Sequence, residues 1–274
     1  MAPHQPPHSF DLASLLSKAV EVIRPVGGFL MAQRVSEAQV ETKSLNSLVS
    51  HVDKQAESQL VEGLSRILPE AGFLAEEGSG AGVEGSRYRW VVDPLDGTTN
   101  LIHGLPVFCV SVALVDGDQP ILAVVFDPNR DECFTATRGG GAHLNGRPMR
   151  CASRERLADA LVATGVPHWD FTQMEAYLAA LTAYAQGSRG LRRMGSAAID
   201  LAYVACGRFD AFFEYSLQPW DIAAGLLLVQ EAGGITSDFR GGTNPAALLS
   251  GKETFASAPG ILDEAFSVVR SAFG

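Results

Sequence analysis

The sequence predicts a mixed α/β fold of alternating helices and strands, on three observations. Apolar residues recur at helical spacing in Leu12, Leu15, Leu16, Ala19, Val22 and Ile23. Residues 72–137 instead break into short apolar runs of strand length, parted by turn residues. Past Cys151 the texture changes again, to helix-like and strand-like segments in alternation. That change divides the chain into an N-terminal half, 1–150, and a C-terminal half, 151–274, expected to pack as one unit. A length of 274 residues suffices for one large domain or two tightly joined halves.

Taken in order, Pro25 with Gly27-Gly28 is expected to kink or end the first helix, because proline lacks an amide proton and its ring crowds the preceding turn. A second helix is expected from about Ser50, with Leu60, Leu64 and Ile67 on one face and Pro69 closing it. Strands are expected at 72–75, 88–92, 107–115, 121–126 and 133–137, with turns such as Asp116-Gly117-Asp118 and Asp127-Pro128-Asn129 between them. Beyond Cys151, residues 171–185 and 197–206 read as helices and 210–213 as a strand. Residues 222–232 read as a helix closed by Gly233-Gly234, since a left-handed cap favours glycine. A strand at 255–258 and a helix at 261–273 complete the chain.

Composition removes several classes of function. Hydrophobic residues make up 46% and charged residues 19%, so a substantial core is expected and long disorder is not. No apolar run reaches the roughly 18 residues of a membrane span. The first ten residues, rich in Pro and His, have neither the basic nor the apolar region of a secretory signal and are expected to fray. Cys109, Cys133, Cys151 and Cys206 are widely spaced with no C-x-x-C pair, which fits a reduced, cytoplasmic protein better than a disulfide framework or a zinc site. The net charge of −10, without a dense Lys/Arg run, argues against a broad nucleic-acid footprint.

The sharpest feature is Trp90-Val91-Val92-Asp93-Pro94-Leu95-Asp96-Gly97-Thr98-Thr99-Asn100. An apolar strand delivers Asp93 at its end, and Pro94, unable to donate a ladder hydrogen bond, is expected to help end the pairing. Asp96 returns to the same side of the turn, and Gly97-Thr98-Thr99 can open a helix. Two carboxylates at i and i+3 of one tight turn repel each other unless a cation sits between them. Free amides at a helix start favour an anion. The combination describes a place where metal ions and a phosphate meet. A bare Asp-Pro-x-Asp is more often a solvated turn, and the chain holds its own control. Asp127-Pro128-Asn129-Arg130-Asp131 also follows an apolar strand, but it lacks Gly-Thr-Thr and precedes another strand, so it reads as a hairpin turn.

Other carboxylates have ordinary readings when taken singly. Asp221, in Pro219-Trp220-Asp221, stands at the start of an apolar helix and could cap it. Glu214 follows Ala211-Phe212-Phe213 as a strand-end carboxylate would. Glu76, in Phe73-Leu74-Ala75-Glu76-Glu77-Gly78, could be solvated, and Asp53 has the S-x-x-D spacing of a capping box with Ser50.

In this order the residues resemble the inositol monophosphatase family, over residues 11–271. The family's D-P-[IL]-D-G-T-T-N element is matched by Asp93 to Asn100, and its W-D-x-A-[AG] element by Trp220 to Ala224; residues 136–146, 195–203 and 231–239 follow the family text as well. The resemblance implies a layered αβαβα sandwich, of the type shared with fructose-1,6-bisphosphatase, commonly a homodimer. It also implies Mg²⁺ as activator, two or three ions per active site, and Li⁺ as inhibitor. Carried over residue by residue, Glu76, Asp93 and the Leu95 carbonyl would hold one metal ion, and Asp93, Asp96 and Asp221 a second, with Glu76 also near a third, weaker one. Thr98 and Asp53 would orient the attacking water. The amides of Gly97 and Thr98 would bind phosphate oxygens, and Ala197, Glu214 and Asp221 would face substrate hydroxyls. Two stretches depart from the family text. In residues 43–48, Ser47 stands where the family tends to have Asp, which bears on placing Lys43 near the site; residues 166–184, bordering the substrate pocket, match weakly.

The chemistry accounts for the residue types. A phosphate monoester hydrolyses slowly because water attacks a dianion and the alkoxide leaves poorly, and metal ions address both ends. Asp, Glu and carbonyl ligands without His or Cys suit Mg²⁺ better than zinc. No Ser or Cys stands in a recognisable nucleophile elbow, so in-line attack by water without a phosphoenzyme is expected. The expected substrate is a small phosphorylated polyol, first inositol monophosphate with broad tolerance, then histidinol phosphate or another sugar phosphate. The nearest branch of the family is bacterial, and its best-known member acts in ribosomal RNA transcription antitermination. A partner in a transcription complex is therefore the second functional expectation, without direct nucleic-acid binding.

Overall fold

A computed structural model describes residues 10–33, 40–44, 47–79, 85–167 and 169–274, the side chains of 40–50 excepted. The expected fraying of residues 1–9 and the placing of Lys43 and Ser47 lie outside the described residues. Phe10, expected in the frayed end, packs edge-on against Tyr88 with ring centroids 5.0 Å apart. In chain order the elements are α1 Leu12–Ala32, β1 Val40–Ser44, β2 Ser47–Ser50, α2 His51–Ile67, β3 Gly72–Ala75, β4 Tyr88–Asp96, α3 Thr98–Ile102, β5 Cys109–Asp116, β6 Gln119–Asp127, β7 Glu132–Thr137, β8 Gly141–Leu144, β9 Arg147–Pro148, β10 Leu161–Thr164, α4 Met174–Gly187, β11 Gly190–Arg192, α5 Ala197–Ala205, β12 Ala211–Tyr215, α6 Pro219–Glu231, β13 Ile235–Ser237, α7 Pro245–Leu249, β14 Glu253–Ser257 and α8 Leu262–Phe273. Among these, no helix is long and apolar enough to cross a membrane.

Two large sheets organise the chain. One has seven strands in the order β3-β4-β5-β6-β7-β8-β9, a meander of antiparallel neighbours except for the parallel β3–β4 pair. The other has five strands in the order β11-β10-β12-β14-β13. Period-two alternation sorts side chains between layers. On the seven-stranded sheet, Trp90, Val92, Val110, Val112, Leu122 and Val124 face α1 and α2, while Val91, Ala113, Ala123 and Val125 face α5 and α6. On the five-stranded sheet, Phe212, Ala163 and Ala256 face that same helical layer, whereas Phe213, Val162 and Phe255 face α4 and α8. The layers therefore run α, β, α, β, α, as expected.

Three local departures from expectation have physical causes. The first helix does not stop at Pro25 but runs on to Ala32, because its second half buries Val26, Gly27 and Leu30, and Gly27 lies against the Phe126 ring. That packing outweighs the one backbone hydrogen bond that proline removes. The 222–232 helix starts earlier, at Pro219, so Asp221 is not the residue before the helix. It is the third residue within it, and its side chain accepts from Gln218 N at 2.7 Å in a capping box. Strand β4 does not end at Pro94, as taken up below. The Asp127–Asp131 control is a hairpin turn between β6 and β7, its Asp127 Oδ1 accepting from Asn129 N and Arg130 N.

The two helices of the middle layer touch through Gly225. A Cβ there would lie 2.5 Å from Leu201 Cδ1 and 2.6 Å from Leu201 Cβ, so only glycine lets α6 approach α5 this closely. Overpacking of this kind costs roughly 1–3 kcal/mol, or about 2–4 °C per kcal/mol for a chain of this size. Thermal unfolding of Gly225→Val is expected several degrees below wild type; an unchanged Tm would show that the helices part freely.

Candidate active site

Strand β4 carries the centre of the site, and a bulge aims it. Asp93 pairs with Ser111 and Asp96 with Cys109, so three steps along β4 answer two along β5. One extra residue is accommodated, as in a β-bulge. This corrects the expectation for Pro94: its missing N–H falls where the ladder is already interrupted, and pairing resumes at Asp96. Leu95 N donates to Asp93 Oδ1 at 2.9 Å, tightening the turn. Gly97 then adopts φ +103°, and a Cβ there would strike Val107 O at 2.8 Å, so glycine is required on two counts.

One cavity of about 1010 Å³ receives Glu76, Asp93, Leu95, Asp96, Gly97, Thr98, Ala197, Glu214 and Asp221. They arrive from the end of β3, from β4 and the start of α3, from the N-terminus of α5, from β12 and from the first turn of α6. Asp53 completes the sequence-predicted set through Thr98, whose hydroxyl lies 2.9 Å from Asp53 Oδ1 and 3.0 Å from Leu95 O. Asp53 thus serves a partner 45 positions away, beyond any local capping role. Asp96 Oδ2 accepts from Ser196 Oγ and Ala198 N, both at 2.7 Å, so a carboxylate of one sheet holds the helix that leads to the other. Asn100 reinforces this junction by donating to Val107 O at 2.7 Å and Met194 O at 2.9 Å.

The electrostatics are those of crowded like charges. Burial pushes the Asp93 carboxyl well above the usual carboxylate range, and the charges of Glu76, Asp96 and Asp221 push it further, against the lowering bond from Leu95 N. Asp221 is likewise raised, first by desolvation and then by Asp96. Asp96 is raised to about 6 by desolvation, held down by Ser196, Ala198 and Arg193. Asp96 and Asp221 keep part of their surface open to the cavity and are enclosed by protein elsewhere. Glu214 is raised to about 8 by burial, against the lowering effect of Arg193 and a Gly165 amide. Cys109 stays a thiol rather than a nucleophilic thiolate, since burial and then Asp96 push it well above its ordinary value.

This wall fits magnesium by its donor chemistry, hard oxygen ligands with no imidazole or thiolate among the crowded groups. Among the described residues, no three His, Cys, Asp or Glu side chains are gathered into a ready-made metal cage. Mg²⁺ does not require one, because it retains waters and is typically bound by one or two carboxylates together with substrate phosphate.

Four cavity or support residues escaped the sequence reading. Arg193 lines the cavity and is the cation felt by Asp96, Asp200 and Glu214. Asp200 is 1% exposed, lines the cavity and has no hydrogen-bond partner for Oδ1. Gly165 is the seat of Glu214, since a Cβ there would fall 1.9–2.2 Å from the Glu214 carboxylate atoms. Glu57 lies one helical turn beyond Asp53, and its i+4 spacing was the available signal. The weakly matching stretch contributes Val166, Pro167 and Trp169 to the cavity lip, where Trp169 is exposed, as is His103.

Comparison with known proteins follows the same residues. The model of the inositol monophosphatase family matches residues 11–271. An inositol-1-monophosphatase of Rhizobium meliloti is 44% identical over 251 residues, covering 90% of this chain and 94% of that protein. The Nus factor SuhB of Escherichia coli is 43% identical over 232 residues, covering 84% and 87% respectively. The crystal structure of the extragenic suppressor protein suhB from Bartonella henselae superposes with a TM-score of 0.87 at 39% identity, covering 94% of this chain and 98% of that one.

The charge pattern predicts a pH dependence with a definite sign. A buried acid whose folded pKa is raised binds its proton more tightly folded than unfolded, so its contribution to stability is lost as pH rises toward that value. In chelator, Tm is expected to fall between pH 6 and 8, a span in which Glu214 of the unfolded chain has already lost its proton while the folded protein, with Glu214 raised to about 8, still binds it, and Glu214→Gln should flatten this slope. Added Mg²⁺ should act oppositely, its gain in Tm growing as pH rises through about 6, where Asp96 ionises. Differential scanning fluorimetry across this range checks both signs; a gain that does not depend on pH would contradict carboxylate binding.

Proposed function

This chain belongs to the inositol monophosphatase family, and from that premise we propose that it is a Mg²⁺-dependent phosphatase of small phosphorylated polyols, acting by direct attack of water. The observation that carries the reading is the gathering of carboxylates from five separate elements, together with the Gly97-Thr98 turn, around one cavity. In this reading Glu76, Asp93, Asp96, Asp221 and the Leu95 carbonyl hold the metal ions. When bound, the ions supply positive charge for the attacking and leaving oxygens.

The chain's own groups do the rest. The Thr98 hydroxyl donates to Asp53 Oδ1 at 2.9 Å, which leaves its oxygen lone pairs to accept a proton from the attacking water. Asp53 thereby fixes the direction of that hydroxyl and supplies the terminal acceptor of the relay. The amides of Gly97 and Thr98 receive phosphate oxygens, in a turn that only glycine can make. Glu214 and Ala197, on the far wall, meet the leaving group, with Arg193 tempering the negative charge there. Inositol monophosphate is the first substrate of this reading, supported by the name of the Rhizobium relative, and histidinol phosphate or another sugar phosphate the second. The name Nus factor belongs to the Escherichia coli relative and supports a partner role in transcription as a second reading; recovery of RNA polymerase or a transcription factor in a pull-down tests it.

Phosphate release from inositol 1-phosphate should require Mg²⁺ and vanish in Asp93→Asn, while Thr98→Ala, which breaks the relay, should lose roughly 100- to 10,000-fold in kcat. An active Asp93→Asn enzyme, or full activity in chelator, would overturn the assignment.

A further inference from the structure

Helix α2 presents a second acidic residue to the site's framework, one turn after Asp53. Glu57 is fully buried. Its Oε2 accepts from Glu77 N and its Oε1 from Ser79 N, both at 2.7 Å. Among the described residues no Lys, Arg or His pairs with it, so a buried carboxylate is satisfied by main-chain amides alone. Burying such a charge is costly, and a neutral side chain could have filled the space. The costly choice lies directly behind the turn that carries Glu76.

That turn depends on its brace. Gly78, at φ +82°, reverses the chain between the two amides that Glu57 grips, and Gly78 N bonds back to Ala75 O. Glu76 N is tied to Val92 O, across to the strand that carries Asp93. Glu57 therefore locks residues 77 and 79 from one side while β4 holds residue 76 from the other. One face of α2 thus reaches two segments of the cavity wall: Asp53 meets Thr98 after β4, and Glu57 meets the turn after β3. The carboxylate also adds negative charge behind Glu76, which draws a cation toward the wall without touching it.

We propose that Glu57 is a positioning residue that sets the affinity of the Glu76 side of the site for Mg²⁺, and leaves the chemical step to others. The inference rests on the phosphatase reading above. Glu57→Gln keeps the shape, removes the charge and turns an NH₂ group toward one of the two amides. The loss of a group that supports a metal ligand typically costs about 10- to 100-fold in metal affinity. Fluorimetric titration of the free protein with Mg²⁺ alone, followed by Tm, should show the midpoint raised at least about 10-fold in Glu57→Gln. In phosphate release, the Mg²⁺ concentration for half-maximal rate should rise in parallel, with kcat at saturating Mg²⁺ close to wild type.

Leu64→Ala, on the same helix but facing the core, serves as the control for general destabilisation. It should lower the Tm of the free protein and leave the Mg²⁺ midpoint where it was. If Glu57→Gln does not fold, Glu57→Asp, which keeps the charge but withdraws it, carries the same comparison. A Glu57 variant that lowers Tm without moving the midpoint, or one that lowers kcat at saturating Mg²⁺, overturns the positioning role while leaving the phosphatase reading intact. A wild-type protein that neither responds to Mg²⁺ nor releases phosphate overturns both.

Discussion

Repulsion among carboxylates facing one low-dielectric cavity is the constraint on which the rest of the structure turns. Asp93 is buried, and Asp96 and Asp221 open only toward the cavity; Asp93 and Asp221 are raised first by burial and then by the charges around them, and Asp96 by burial. Two unit charges 4 Å apart interact by about 4 kcal/mol at an effective dielectric of 20, against a net fold stability of roughly 5–15 kcal/mol. A chain of ordinary stability cannot keep several such groups ionised together without protons or cations to neutralise them. The site is therefore a functional arrangement held at the expense of the fold, and everything around it is arranged to keep it from relaxing.

A backbone amide takes part in holding five of these carboxylates. Asp93 is fixed by Leu95 N, Asp96 by Ala198 N, Asp221 by Gln218 N, Glu214 by the Gly165 amide, and Glu57 by Glu77 N and Ser79 N. Main-chain donors are placed by the sheets and helices themselves, so each carboxylate inherits the precision of its element. A side chain held by another side chain would share the rotamer freedom of both. The β4 bulge, the capping box of α6 and the N-terminus of α5 are ordinary features of strands and helices, put to use here because each ends in an amide pointing at an acid. The five layers serve this purpose too, since the middle helices α5 and α6 are the elements that both sheets share.

Much of this was legible in the sequence, and what was missed has a common cause. Elements such as α2 and α8, with one buried face, and β6, a continuous apolar run buried on both, matched their expected spans closely, because hydrophobic period or run length decides them. So did the difference between Asp93-Pro94-Leu95-Asp96 and its hairpin look-alike at Asp127, which depends on the residues that follow. Pro25 and Pro94 misled for the same physical reason. A proline rule weighs one missing hydrogen bond, whereas tertiary packing behind α1 and the bulge in β4 decide whether that bond was needed. The short strands β8, β9, β11 and β13 have too few residues to display a period. Asp200, Gly165 and Arg193 matter through neighbours distant in the chain, and nothing in their local sequence distinguishes them.

The two walls of the cavity are built differently, and this separates what the site must do from what it can choose. The wall carrying Asp93, Asp96, Gly97 and Thr98 is the end of β4, the second strand of a seven-stranded sheet, paired with β3 up to Val92 and with β5 as far as Asp96, and braced from α2. The cavity lining also includes Gly165, Val166, Pro167 and Trp169, from the segment between β10 and α4, where Val166 and Trp169 stand partly in solvent. Sheet ends tolerate little change, because a one-residue shift turns every side chain to the other face, whereas loops accept substitution at small cost to the core. In the proposed reading, recognition of the phosphate falls to the framework, while the loop shapes the space beside Glu214 and Ala197 that the leaving group would enter. The same division agrees with the sequence: the sharpest motifs lie on β4 and α6, which answer to the charge constraint, whereas residues 166–184, the loop and the helix α4 it leads into, stand outside that constraint and drift from the family text.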